Sequence, residues 1–168
     1  MHIAKLAIEQ ASGVSVIVGV SALRTKDVLT LVEDADKQGA SAVLLAPMSY
    51  QKLSEDDVYQ LYQTGSAASR LPICVYDNPA TTHFEFSDDL YARTSLLENV
   101  CSIKIPGVPT DLQAAKARVE RLRSIVPSDV SIGVSGDAFA ANGLNAGCDV
   151  WYSVVGGLYP KAALAITR

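Results

Sequence analysis

Features that would point to nucleic-acid binding, to membrane insertion or to secretion are missing from this sequence. Positive charge is not in excess, because the formal net charge is −4, so a basic nucleic-acid-binding surface is not indicated. The longest apolar runs, Val14–Ser21 and Ala40–Met48, are too short to cross a bilayer. Met1 is not followed by the charged, apolar and small-residue pattern of a signal peptide. We therefore predict a cytoplasmic protein with neither a membrane nor a nucleic-acid partner.

Cysteine is scarce as well. The three cysteines, Cys74, Cys101 and Cys148, are odd in number and have no Cys-x-x-Cys spacing. This pattern disfavours a disulfide framework and structural zinc, and reduced thiols are expected. No metal and no cofactor are predicted. The remaining composition, with 49% hydrophobic and 19% charged residues, is typical of a globular protein, and we predict a single domain over residues 1–168.

Apolar, β-branched runs alternate with helical patterns along the whole chain. The predicted strands are Val14–Val20, Ser41–Ala46, Pro72–Asp77, Val100–Ile105, Val130–Val134 and Val150–Val155. The predicted helices are Thr25–Gln38, Ser54–Ser69, Ser87–Leu97, Thr110–Val126 and Asp137–Ala146, with helix-like segments at Ile3–Ala11 and Pro160–Thr167. The strands are almost continuously apolar, which is typical of a parallel sheet covered by helices on its faces. The pattern therefore predicts an α/β fold.

Two architectures fit this alternation. An open doubly wound sheet is disfavoured as a dinucleotide-binding domain, because Gly19–Leu23 after the first strand contains no G-x-G-x-x-G motif. A (β/α)8 barrel of the TIM type is favoured by the regular repeat, since one βα unit recurs about every 30 residues. A complete barrel needs eight strands and typically about 250 residues. We therefore predict an incomplete barrel of about six βα units in which the first two strands are missing.

Lys104 is the leading candidate for a catalytic residue. It lies at the carboxyl end of the fourth predicted strand, where barrel enzymes place catalytic groups. If Ile103 and Ile105 pack outward against helices, Ser102 and Lys104 face the barrel interior. Desolvation favours the neutral form of a lysine amine, and a neutral amine can attack a ketone or an aldehyde. The alternative is that Lys104 begins a loop and extends its amine into solvent.

Tyr76 lies at the same end of the preceding strand. Cys74 and Tyr76 share one face of that strand, and neighbouring parallel strands are about 4.8 Å apart. A phenol beside a lysine amine could relay protons in imine chemistry. The alternative is a tyrosine that caps the barrel with its hydroxyl in water.

These residues occur within an ordered set of motifs that covers nearly the whole chain. The set comprises Gly19-Val20-Ser21, Ala46-Pro47, Tyr76-Asp77-Asn78-Pro79, Thr81-Thr82, Ser102-Ile103-Lys104, Val134-Ser135-Gly136-Asp137 and Ser153-Val154. In this order and spacing the chain resembles the dihydrodipicolinate synthase / N-acetylneuraminate lyase family of class I pyruvate-dependent aldolases. The resemblance implies a (β/α)8 barrel, often in dimers or tetramers, that acts on a small 2-keto acid and needs no cofactor. It further implies that Lys104 forms a Schiff base, that Tyr76 shuttles a proton, and that Thr81, Gly136 and the backbone of Tyr152 line the substrate pocket.

The sequence also departs from the family pattern. The threonine pair that binds the keto-acid carboxylate belongs to a strand that would precede Met1. Thr81 stands where dihydrodipicolinate synthases use an arginine for the second substrate, which argues for another branch of the family. Ile105 replaces the glutamate that often follows the lysine, and Tyr50 matches the family's tyrosine only with a one-residue shift.

The sequence leaves three functions open. The first is a class I aldolase or lyase that cleaves or forms a carbon–carbon or carbon–oxygen bond through a Lys104 Schiff base, in a homo-oligomer. The second is a catalytically inactive truncated barrel that serves as a structural or oligomerising module, because an open barrel leaves two unpaired strand edges. The third is a nucleotide-binding α/β domain, which the missing phosphate loop disfavours.

Overall fold

Six parallel strands form one sheet in the computed structural model, which describes residues 2–167. The strands are β1 (Ile17–Gly19), β2 (Ala42–Leu45), β3 (Ile73–Tyr76), β4 (Val100–Ile105), β5 (Ser131–Ser135) and β6 (Val150–Tyr152). Each strand pairs with the next one along the chain, so the spatial order is β1-β2-β3-β4-β5-β6. This sequential order is that of a barrel, whereas a doubly wound sheet reverses its strand order at a switch point. The prediction of an incomplete (β/α) barrel is confirmed.

Helices connect the strands. They are α1 (His2–Gln10), α2 (Thr25–Gln38), α3 (Glu55–Ala68), α4 (Pro79–Thr82), α5 (Asp88–Ser95), α6 (Leu112–Arg123), α7 (Ala140–Asn145) and α8 (Pro160–Ile166). Within residues 2–167, no helix is both long enough and apolar enough to cross a bilayer. The short helix α4, which begins with a proline at its first position, was not predicted.

The structure corrects several predicted boundaries. The predicted strand Val150–Val155 ends at Tyr152, because a 3₁₀ turn over Val155–Gly157 closes the chain onto helix α8. The predicted helix Asp137–Ala146 is divided into a 3₁₀ turn, Asp137–Phe139, and α7. Gly136 lies immediately before the 3₁₀ turn, and its φ of 86° is a left-handed value that a continuous helix does not contain.

Side-chain caps explain where two of the helices begin. Ser54 and Asp57 form a reciprocal capping box at the start of α3, and the Ser87 hydroxyl accepts a hydrogen bond from the Leu90 N–H at the start of α5. Thr25 is the first helical residue of α2, and Arg24 occupies the cap position with its guanidinium bonded to Asp27 at 2.8 Å.

The apolar core lies between the sheet and the helices. Ile103 and Ile105 are buried, with 1% and 3% exposure, as the alternation along β4 requires. The buried face of α6 consists of Ala115, Val119 and Leu122. This packing leaves Ser102 and Lys104 on the inner face of the sheet, where they meet residues of the neighbouring strands.

Candidate functional site

Strands β3 and β4 end side by side, and their last inward-facing residues are paired. Tyr76 is the Cα partner of Lys104, and the Lys104 Nζ lies 4.0 Å from the centroid of the Tyr76 ring. Lys104 Nζ also lies 5.3 Å from the centroid of the Tyr152 ring on β6. The Lys104 amine is therefore flanked by two aromatic side chains at the carboxyl end of the sheet.

The Lys104 amine lies over the faces of aromatic rings. Lys104 is partly buried, and none of the ion pairs or side-chain hydrogen bonds within residues 2–167 involves its Nζ. An amine over the face of a tyrosine is attracted by the ring quadrupole when it is charged. Among the described residues no carboxylate pairs with this amine, so its recorded side-chain contacts are the two aromatic rings.

Tyr152 takes part in the site through its side chain and not only through its backbone. Its hydroxyl lies 2.8 Å from Ser102 Oγ and 3.1 Å from Cys74 Sγ. Burial is the main cause that raises the pKa of the Tyr152 hydroxyl, so this group remains protonated at neutral pH. Burial likewise raises the pKa of the Cys74 thiol. Hydroxyl and thiol therefore form a neutral, hydrogen-bonded layer beneath the amine.

Gly133 explains how the Tyr152 ring fits. This glycine of β5 is the Cα partner of Lys104 on β4 and of Val150 on β6. A Cβ at Gly133 would lie 2.4 Å from the Tyr152 ring, so any larger residue would displace that ring. Sequence reasoning singled out Gly136 and missed Gly133, Ser102 and Cys74 as contacts of Tyr152. The face alternation along β3 and β4 is the signal that could have found Ser102 and Cys74.

The structure places Thr81 on the other side of Lys104 from Tyr152. The Thr81 hydroxyl accepts a hydrogen bond from Asn78 Nδ2 at 3.0 Å. Thr81 and Tyr76 both line a cavity of about 260 Å³, together with Gly19, Ser21, Leu23, Leu44, Ala46, Met48, Ser49, Asn78 and Thr82. Tyr76 therefore links this cavity to the lysine. Gly136 follows β5, and the Cβ that it lacks would lie 3.0 Å from the Phe139 ring.

Asp77, the residue after Tyr76, is buried on the opposite side of the strand. Its carboxylate accepts a hydrogen bond of 2.5 Å from the Tyr91 hydroxyl, and the residue is 2% exposed. Burial is the main cause that raises the pKa of Asp77 to about 6. The raised pKa means that the folded protein binds a proton at Asp77 more tightly than the unfolded chain does. The resulting contribution to stability is complete below about pH 3.9, where the carboxyl is protonated in both states. That contribution is lost as the pH rises through about 6.

We therefore expect Asp77→Asn to be more stable than the wild type at pH 7.5, by about 1–3 kcal/mol in the free energy of unfolding. The advantage should disappear at pH 4, where the wild-type carboxyl is also neutral. Urea unfolding at the two pH values measures this difference. The exposed Asp129→Asn serves as the control and should change the free energy by less than about 0.5 kcal/mol at either pH. An Asp77→Asn advantage that is equal at both pH values would contradict this account.

Together, the fold and the site define a class of protein: an incomplete (β/α) barrel that carries a lysine and a tyrosine at the carboxyl ends of neighbouring strands. The Dihydrodipicolinate synthetase family matches residues 1–168, and the chain belongs to that family. The family resemblance of the motifs is thereby confirmed.

Individual relatives agree with this assignment. The 4-hydroxy-tetrahydrodipicolinate synthase of Anaplasma marginale (strain Florida) is 30% identical over 167 residues, which are 99% of this chain and 53% of the relative. The crystal structure of a dihydrodipicolinate synthase from Agrobacterium tumefaciens str. C58 is 38% identical with a TM-score of 0.94, over 99% of this chain and 56% of that one. The chloride-inhibited enzyme from Acinetobacter baumannii, complexed with pyruvate, is 27% identical with a TM-score of 0.83, over 96% and 54%. The chain thus spans about half the length of these relatives.

Proposed function

We propose that this chain forms a Schiff base between Lys104 and pyruvate or another 2-keto acid, as class I aldolases and lyases do. The observation that carries the proposal is the Lys104 amine, which lies over the Tyr76 ring at the carboxyl end of a barrel strand and has no carboxylate partner within residues 2–167. Membership of the family supports it, as does the pyruvate complex of the relative from Acinetobacter baumannii.

The proposed chemistry follows from the amine. The lone pair of the Lys104 nitrogen attacks the keto carbon, and a proton passes from that nitrogen to the carbonyl oxygen to give a carbinolamine. Loss of water then yields an imine, and removal of a proton from the adjacent carbon yields an enamine. The enamine carbon attacks an electrophile to form a new bond, or the reverse sequence cleaves one. We assign the proton transfers to the hydroxyl of Tyr76, because the ring of this residue lies beside the amine.

We assign substrate contacts to Thr81, Gly136 and the backbone of Tyr152. Thr81 lines the cavity that Tyr76 shares, and its hydroxyl is a neutral hydrogen-bonding group, not a cation. A neutral group binds a substrate carboxylate more weakly than a guanidinium does. We therefore propose a second substrate or product, for carbon–carbon or carbon–oxygen bond chemistry, that differs from that of dihydrodipicolinate synthase itself.

Reductive trapping tests the proposal directly. The protein is incubated with pyruvate and borohydride, digested, and its peptides are weighed. The expected result is the mass of one reduced pyruvate imine on the peptide that contains Lys104, in proportion to the pyruvate concentration up to saturation. An unmodified Lys104 peptide at saturating pyruvate would reject the proposed function.

A second function is supported by the sheet edges. Among residues 2–167, β1 and β6 each pair with one strand, so each presents an unpaired outer edge. Apolar side chains at these edges are exposed, including Ile17 in β1 and Val154 after β6. We propose that the chain self-associates through these edges and serves as an oligomerising module. Size-exclusion chromatography with light scattering should show a dimer or a larger oligomer, and a monomer at all concentrations would refute this function.

We propose a cytoplasmic location. Its support is chemical: the described cysteines, Cys74, Cys101 and Cys148, are all free thiols, and reduced thiols are typical of that compartment. In the proposed chemistry the protonated imine formed on the lysine is the electron sink, so the proposal invokes no cofactor.

A further inference from the structure

We propose that Tyr152 is the residue that positions the Lys104 amine for attack, and that Ser102 and Cys74 hold Tyr152 in place. This inference rests on the proposed Schiff-base function, because it assigns a role within that reaction. It is carried by the placement of the Tyr152 ring 5.3 Å from the amine, and by the two hydrogen bonds that fix the far end of that ring.

The position of the amine depends on its aromatic neighbours. Lysine has four rotatable side-chain bonds, and an amine without a hydrogen-bonded partner is free to sample many rotamers. Lys104 forms no ion pair within residues 2–167. The rings of Tyr76 and Tyr152 therefore confine the amine between them.

Tyr152 can confine the amine because the Tyr152 side chain is itself fixed at its far end. Its hydroxyl contacts Ser102 Oγ at 2.8 Å and Cys74 Sγ at 3.1 Å, which ties β6 to β4 and β3 across the barrel interior. Ser131 Oγ donates a 2.7 Å hydrogen bond to Ser102 Oγ and extends the network to β5. Four neighbouring strands thus contribute to one hydrogen-bonded layer beneath the amine.

The backbone leaves space for this arrangement at Gly133. A side chain there would occupy the volume of the Tyr152 ring, since the added Cβ would lie 2.4 Å from it. Gly133 is also paired with Lys104, so the ring lies beside the lysine along the sheet. Removal of the ring would open this volume, and the amine could then swing toward β6 and away from Tyr76.

A displaced amine should slow imine formation more than it weakens keto-acid binding. A misplacement of about 1 Å can reduce a rate by about a hundredfold, because the reacting atoms no longer meet at the required distance and angle. The cavity that Thr81 and Tyr76 line lies on the β3 side of the lysine, away from Tyr152. Tyr152 should therefore influence the maximal rate of trapping and leave half-saturation by pyruvate nearly unchanged.

The test measures the rate of borohydride trapping against pyruvate concentration in Tyr152→Leu. We expect the maximal rate to fall at least tenfold, with the half-saturating concentration changed less than about threefold. Tyr159→Leu is the matched control, since Tyr159 is 63% exposed, and it should trap pyruvate at the wild-type rate. A wild-type maximal rate in Tyr152→Leu would overturn the proposal.

Two conservative variants separate positioning from a general effect on folding. Tyr152→Phe keeps the ring and removes both anchoring hydrogen bonds, whereas Ser102→Ala keeps the ring and removes one of them. We expect Tyr152→Phe to lower the maximal rate about threefold and Ser102→Ala to lower it by a smaller factor. The double variant should be no slower than Tyr152→Phe, because the hydrogen bond to Ser102 is already absent there. Losses that multiply, or no loss in either variant, would overturn the anchoring role even if Tyr152→Leu failed to fold.

A final measurement does not depend on pyruvate. Acetic anhydride labels lysines, and the labelling of Lys104 is compared with that of exposed Lys161 in the same digest. We expect the Lys104 to Lys161 ratio to rise at least threefold in Tyr152→Leu, because the released amine reaches solvent. An unchanged ratio would refute the positioning role. If the wild type failed to trap pyruvate while this ratio rose, the Schiff-base function would fall and the positioning of the amine would stand.

Discussion

Lys104→Met is expected to abolish pyruvate-dependent trapping completely while the protein stays folded. Methionine has an unbranched side chain that can follow the lysine stem between the Tyr76 and Tyr152 rings, but it has no amine to attack the keto carbon. The loss should be total because the proposed reaction passes through a covalent bond to this nitrogen. Intact-protein mass spectrometry after borohydride reduction measures the adduct.

Lys161→Met is the matched control for this variant, because it removes an exposed lysine near the end of the chain and should trap pyruvate as the wild type does. The free energy of unfolding of Lys104→Met should stay within about 1 kcal/mol of the wild type, since Lys104 forms no ion pair in the described part of the chain. An adduct of undiminished yield in Lys104→Met would show that another amine reacts, and the assignment of Lys104 would be wrong.

The neighbourhood of Lys104 and Tyr76 is a part of the site that the sequence could predict. Two simple regularities suffice for it: side chains alternate along a strand, and successive βα units place consecutive strands next to each other. The apolar run of β4, with a single lysine near its carboxyl end, then identifies the inward-facing residue. The parallel order of six strands follows from the same regularities, and it is observed.

The rest of the site depends on packing that has no local signature. Tyr152 was predicted through its backbone, since nothing within β6 indicates that its hydroxyl reaches Ser102 and Cys74, 50 and 78 residues away along the chain. Position 133 requires a glycine because the ring of Tyr152 occupies the space that a side chain would need there. Tyr152 lies on the next strand, two residues after Val150, the strand partner of Gly133. The boundaries of β6 and α7 were also missed, because a 3₁₀ turn is set by tertiary closure and Val150–Val155 is apolar except for Ser153.

Tyr62→Ala is expected to produce the largest loss of stability among the changes considered, about 3–5 kcal/mol in the free energy of unfolding. Tyr62 lies on α3, is fully buried, and packs edge-to-face against Phe86 with ring centroids 6.0 Å apart. Its hydroxyl donates a 2.6 Å hydrogen bond to the Leu45 carbonyl at the end of β2. Truncation to alanine therefore removes a ring from the core and a donor from a buried carbonyl, and the surrounding helices cannot collapse fully into the cavity.

Two companion variants divide this loss into its parts. Tyr62→Phe keeps the ring and removes the hydroxyl, so it should cost about 1–2 kcal/mol through the unpaired Leu45 carbonyl. Tyr50→Ala removes a tyrosine that is 93% exposed and should cost less than about 0.5 kcal/mol. Urea unfolding followed by circular dichroism measures all three. If Tyr62→Ala cost no more than Tyr62→Phe, the ring would contribute nothing to the packing of α3 against the sheet.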